Sequence, residues 1–214
     1  MRPTLRAGLV ATALALLAAC SGSEEPPAVV GSDRSAAGSG TSPSGNPQTE
    51  GVDLTSLVPR PPGEGWRSDS GSPVRVTEAN AAEAFGLTAE EAVAQLREER
   101  GRGLVDAATE QWTREAPVSL TRTTVRRYEG VVYEYPVAPV ALPLEAPPAP
   151  AGVTAACHLL PASALDDKTF AGSCSVTWEQ ERVNAVVAVL GTDEAAVRAA
   201  AVEHTQAFLD TLPG

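Results

Sequence analysis

From Val74 to the carboxyl end, apolar and polar positions follow two rhythms, one of period two and one near 3.6. Val74 and Val76 alternate with polar neighbours and predict a short strand. The segment "EANAAEAFGLTAEEAVAQLREERGRG" (78–103) then changes to helical spacing. Asn80 with Glu83, and Thr88 with Glu91, have the separation of capping boxes, and Leu87 with Ala92 that of a hydrophobic staple. Gly86 closes the first short helix. Ala89, Ala92, Val93 and Leu96 give the second an apolar face, which Gly101 and Gly103 end. Period two returns in "GLVDAATEQWT", in residues 118–128, in "VVYEYPV" (131–137) and in "VTAACHLLP", "GSCSVTWEQ" and "RVNAVVAVLG". The last is apolar on both faces, as a central strand is. Thr192 or Asp193 caps a final helix with Val197, Ala201, His204, Phe208 and Leu212 in one stripe. Pro139, Pro143, Pro147, Pro148 and Pro150 make the stretch before "VTAAC" a long extended loop, not a central strand or helix. The expected fold is α+β: an antiparallel sheet of about five to six strands with two main helices packed on one face.

Upstream the rhythm is absent. Residues 21–50 hold 16 Ser, Gly or Pro in 30, with Val29 and Val30 as the only large aliphatics. Such a stretch cannot bury enough apolar surface to offset its ordering entropy. It predicts a flexible tether over residues 20–63, with a root-mean-square reach of roughly 35 Å, ahead of a single domain over 64–214. Before the tether, Arg2 and Arg6 precede an apolar run from Ala7 to Ala19, too short for a bilayer span of about 20 residues. A basic start, a short apolar run and small residues before the cut describe a signal peptide over 1–19.

The formal net charge is −11, and removal of Arg2 and Arg6 with the leader makes the chain more acidic still. That balance argues against nucleic acid and against a polybasic membrane-surface role. Lys168 is the sole lysine and alanine is abundant, a bias typical of high-GC genomes.

Candidate chemistry is sparse. Cys157 and Cys174 lie in predicted strands, and outside the cytoplasm such a pair oxidises. A disulfide is the leading reading; a metal site from Cys157, His158, Cys174 and His204 lacks zinc-finger spacing. His204 lies on an apolar stripe and reads as a packed histidine rather than a base. Ser173 and Ser175 lack a nucleophile elbow, and Asp166 and Asp167 beside Lys168 read as a turn. Arg122, Arg126 and Arg127 form a local basic cluster, either an anion site for phosphate or carboxylate or cations paired with nearby acids. No P-loop, dinucleotide fingerprint or calcium loop occurs. No cofactor or metal is expected.

Leu17, Ala18, Ala19 and Cys20 resemble the lipobox of bacterial lipoproteins. The resemblance implies cleavage before Cys20, a diacylglyceryl thioether on its sulfur, and anchoring in the cell membrane on the extracytoplasmic face. With the lipobox, the tether, the two-cysteine domain and the terminal "VNAVVAVLGTDEAAVRAAAVEHTQAFLDTLPG", the chain resembles small secreted lipoproteins of actinobacteria. The terminal segment is also similar to sensor-like extracellular domains of receptor kinases. Those domains often carry two disulfides where this chain can form one, and no functional residue is transferred. The expected function is a non-enzymatic envelope lipoprotein that binds a small apolar or wall-derived ligand or a partner protein. A structural or assembly factor using loop 136–150 as an arm is the alternative, with a hydrolase built on His158 or His204 behind it.

Overall fold

The computed structural model describes residues 52–134 and 137–213. The leader, Cys20 and most of the tether lie outside them. Among the described residues no helix is long and apolar enough to cross a membrane. Eight strands form one antiparallel sheet: β1 (Arg67–Ser68), β2 (Val74–Arg75), β3 (Leu104–Thr113), β4 (Val118–Tyr128), β5 (Leu142–Leu144), β6 (Val153–Leu160), β7 (Phe170–Trp178) and β8 (Val183–Gly191). Their order is β1-β3-β4-β8-β7-β6-β5, with β2 also on the β3 edge. Among the described residues three α-helices accompany them: α1 (Ala81–Phe85), α2 (Ala89–Gly101) and α3 (Glu194–Leu209).

β8 is the middle strand, as its two apolar faces require. The antiparallel α+β class stands, and the sheet is larger than the expected five to six strands. The strands not anticipated are the short β1 and β5, whereas β2 forms where Val74 and Val76 predict a strand. β5 holds Pro143 and pairs only with β6 at the sheet edge, where a missing amide hydrogen is tolerated. Residues 131–134 of "VVYEYPV" form no strand; Val131 is exposed, and the adjacent Val132 and Tyr133 both pack on the α1–α2 cluster instead of alternating between faces.

Register divides the side chains between two faces. On one, Val183, Ala185, Val187 and Val189 of β8 join Val125 of β4 and Cys174 and Val176 of β7 beneath α3, whose Val197, Ala201 and Phe208 complete a continuous core. Burying a side chain the size of Phe208 contributes about 2–3 kcal/mol. Asp193 caps α3 by accepting from the Ala196 amide at 2.9 Å. Gly172 lets the helix approach: a Cβ there would meet Ala201 Cβ at 2.9 Å. Leu54, Leu57 and Val58, expected in the tether, are buried in this same core. Their three aliphatic side chains outweigh the Pro-rich sequence around them.

The opposite face carries two separate apolar clusters. Phe85 of α1 and Ala92 and Leu96 of α2 pack with Leu104, Ala107 and Tyr128. Leu120, Leu160, Ala171 and Leu190 form the second cluster, with Ala138 and Ala141 of the Pro-rich loop against it. The main helices therefore lie on opposite faces rather than together. Ala107 and Ala108, adjacent in β3, belong to different clusters, which is the strand period made visible. The Thr88–Glu91 capping box forms. Asn80 makes no side-chain cap; its amide instead accepts from Thr77 N at 2.7 Å and donates to Arg75 O at 2.8 Å, tying the turn after β2.

Cys157 and Cys174 face each other in register and form a disulfide. In the chain-entropy view a loop of this size adds about 3 kcal/mol. Cys157→Ala with Cys174→Ala is expected to lower stability by about that amount, read as an earlier urea midpoint.

Candidate functional site

The two apolar clusters leave a cleft of about 290 Å³ between them on the face away from α3. Its floor comes from β4, β8, β7 and β6. Ala188, Ser173 and His158 follow Arg122 in register across the sheet, and Val186, Ser175 and Ala156 follow Thr124. Ala188, Ser173, Ser175 and Ala156 are the small side chains that keep this floor low. α1 and the following turn form one wall with Phe85 and Leu87, and Val137, Ala138 and Ala141 form the other.

Arg122 and Arg126 enter this floor; Arg127 does not. Alternation along β4 sends Arg127 to the opposite face, where its Nη2 donates to Val52 O. The three-arginine cluster of the sequence is thus split by the strand period, and only two cations reach the cleft. Counting even positions from Leu120 would have separated them.

The two cleft arginines differ. Arg126 forms a buried ion pair with Glu99, Nε to Oε2 at 2.9 Å, and Gln95 Nε2 donates to the other carboxylate oxygen at 2.9 Å. Its charge is matched inside the protein. Arg122 is 7% exposed and donates from Nη2 to the neutral Oε1 of Gln111. Gln111 in turn donates from Nε2 to Asp69 Oδ2 at 2.6 Å, so an amide separates Arg122 from the carboxylate. Burial lowers the Arg122 pKa to about 10, Asp69 opposes that shift and the Arg126 charge adds to it; the guanidinium stays charged at neutral pH. Gly86, at φ +67, closes α1 and makes room for this side chain, since a Cβ there would lie 2.9 Å from Arg122 Nη2. At the Arg126 end, Glu134 Oε1 accepts from Thr177 Oγ1 at 3.0 Å. Asn184, fully buried, donates from Nδ2 to Ser175 Oγ at 2.9 Å.

His158 and Ser173 are cross-strand neighbours in the cleft. Among the described residues no carboxylate hydrogen-bonds to His158. His204 lies on the α3 face instead. Its Nδ1 is 2.9 Å from Thr121 Oγ1 and its ring meets Trp66 edge-on at 5.4 Å. The two histidines are on opposite sides of the sheet, and no metal-competent group of three ligands occurs among the described residues. Asp166 ties its own turn, accepting from Lys168 N and Thr169 N.

No protein-family model matches the chain, and neither curated proteins nor solved structures give a significant match.

Two outcomes follow from the buried polar groups. Glu99→Gln leaves Arg126 without its counter-charge and is expected to cost about 3 kcal/mol in denaturant unfolding. Burial, with the Arg114 charge adding to it, lowers the His204 pKa to about 4. The unfolded chain then binds a proton between about pH 6.5 and pH 4 that the folded chain refuses. Stability is expected to be level above that window and to fall by about 3 kcal/mol as pH drops through it. His204→Gln removes this contribution, which thermal melts of both proteins across the window will read.

Proposed function

We propose that this chain is a non-enzymatic lipoprotein of the cell envelope, held to the outer face of the membrane by lipid on Cys20, whose sheet cleft binds a small apolar or wall-derived ligand. The observation that carries the ligand reading is the cleft itself. The sheet face under α3 is packed without interruption, whereas the opposite face has its apolar packing divided around a low floor. Its walls are apolar and its floor holds a few convergent polar groups, the usual make-up of a small-molecule site. The lipobox at Leu17–Cys20 and the Ser/Gly/Pro stretch after it support the anchor. One acyl chain binds membranes marginally and two or more anchor stably.

A partner-protein reading has its own observation. Val131, Val137, Val140 and Leu142 are exposed large apolar residues gathered in and beside the Pro-rich loop. That loop is not a free arm, because Ala138 and Ala141 pack on the sheet and β5 pairs with β6. In this reading the loop presents a docking edge while its inner side forms the cleft wall.

Native mass spectrometry of protein extracted from its own membranes tests both halves. The expected result is an acylated amino-terminal Cys20 and a small-molecule adduct that is lost on denaturation and absent from Ser173→Trp, whose indole fills the floor. A bare thiol at Cys20 would overturn the anchor. An adduct equally abundant in Ser173→Trp would overturn the cleft as its seat.

A further inference from the structure

We infer that Arg122 is the anion anchor of the cleft, and that the ligand class is a small apolar molecule bearing a single carboxylate. The inference rests on the cleft-binding reading and names the chemistry of its occupant. Three observations carry it. Arg122 is more than nine-tenths buried, lines the cleft, and has no carboxylate within ion-pair distance among the described residues. Burying a charge without a direct ion pair is costly, and Asp69 reaches Arg122 only through the Gln111 amide, so this guanidinium is suited to pair directly with an anionic ligand group. The protein also builds that position on purpose: Gln111 takes one N–H and Gly86 gives the head group space. A planar guanidinium with free N–H groups receives a carboxylate through two parallel hydrogen bonds.

Charge balance selects the number of negative charges. Arg126 is neutralised by Glu99, and Glu134 sits with Thr177 toward the Arg126 end. Arg122 is then the one cleft arginine without an ion pair among the described residues, and the Glu134 carboxylate lines the same cleft, so a monoanion is accommodated. A dianionic phosphate monoester would bring a second charge with no partner. Size and polarity select the rest. About 290 Å³ is the liquid volume of roughly ten waters, and Leu87, Val137, Ala138 and Leu160 are among the apolar residues that would face the ligand body.

Isothermal titration of the full chain, carrying Cys20→Ser so that no acyl group competes, uses octanoate, octanol and octyl phosphate as probes. Octanoate is expected to bind about tenfold or more tighter than octanol, the difference a charge-assisted hydrogen-bonded pair supplies, and tighter than octyl phosphate. Arg122→Met is expected to erase the octanoate advantage and leave octanol binding in place. Without ligand this variant should melt at the same temperature as the parent or a few degrees above it, because it removes a buried charge that lacks a direct ion pair. Arg122→Lys keeps the charge, loses the fork, and should fall between the two. Equal binding of octanoate and octanol would overturn the anchor while leaving the cleft a ligand site. Binding of no probe would overturn both readings. Tighter octyl phosphate would overturn the carboxylate, and a markedly less stable Arg122→Met would mark Arg122 as a structural group instead.

Discussion

The pairing of β4 with β8 is the contact that the rest of the molecule depends on. Thr123 opposite Val187 and Val125 opposite Ala185 put one set of side chains under α3. Arg122 opposite Ala188 and Thr124 opposite Val186 put the other set into the cleft. A slip of one residue would exchange these sets. It would drive two guanidinium groups into the core beneath Phe208 and turn valines toward the cleft. The cost of burying those charges without partners adds to the apolar packing in holding the register.

The same logic explains why polar groups deep in the sheet are tolerated. Glu99 meets Arg126, and the Asn184 amide donates to Ser175. His204 stays neutral between Thr121 and Trp66. Arg122 is the member whose charge is met only through an amide, with Asp69 on the far side of Gln111. A group so placed loses hydration without gaining an ion pair, which distinguishes it from Arg126 four positions along the same strand.

Much of the framework is legible in the amino-acid order because local signals and tertiary packing agree. Residues 118–128 and 182–191 alternate, and they form β4 and β8 in the middle of the sheet. Thr88 with Glu91 caps α2 as its spacing implies. The edge strands β1 and β5 were hidden because two or three residues contain no period to read. Their pairing comes from β3 and β6, which are distant in sequence. Leu54 and Leu57 were masked by Pro-rich neighbours. The cleft was hidden for a related reason: Arg122, Ala188, Ser173 and His158 become neighbours only through three strand registers. Their types hinted at chemistry only in the case of the arginines, and there the sequence cluster joined residues that the sheet separates.

The disulfide sits on the covered side of β6 and β7, while Ala156, His158, Ser173 and Ser175 alternate with its two cysteines and form half of the cleft floor. One covalent staple thus fixes both surfaces of the same two strands. In a reducing compartment that half of the floor is held by backbone hydrogen bonds and packing alone. Formation of the bond completes its support from behind, so the redox state of the surroundings is built into the rigidity of the cleft floor.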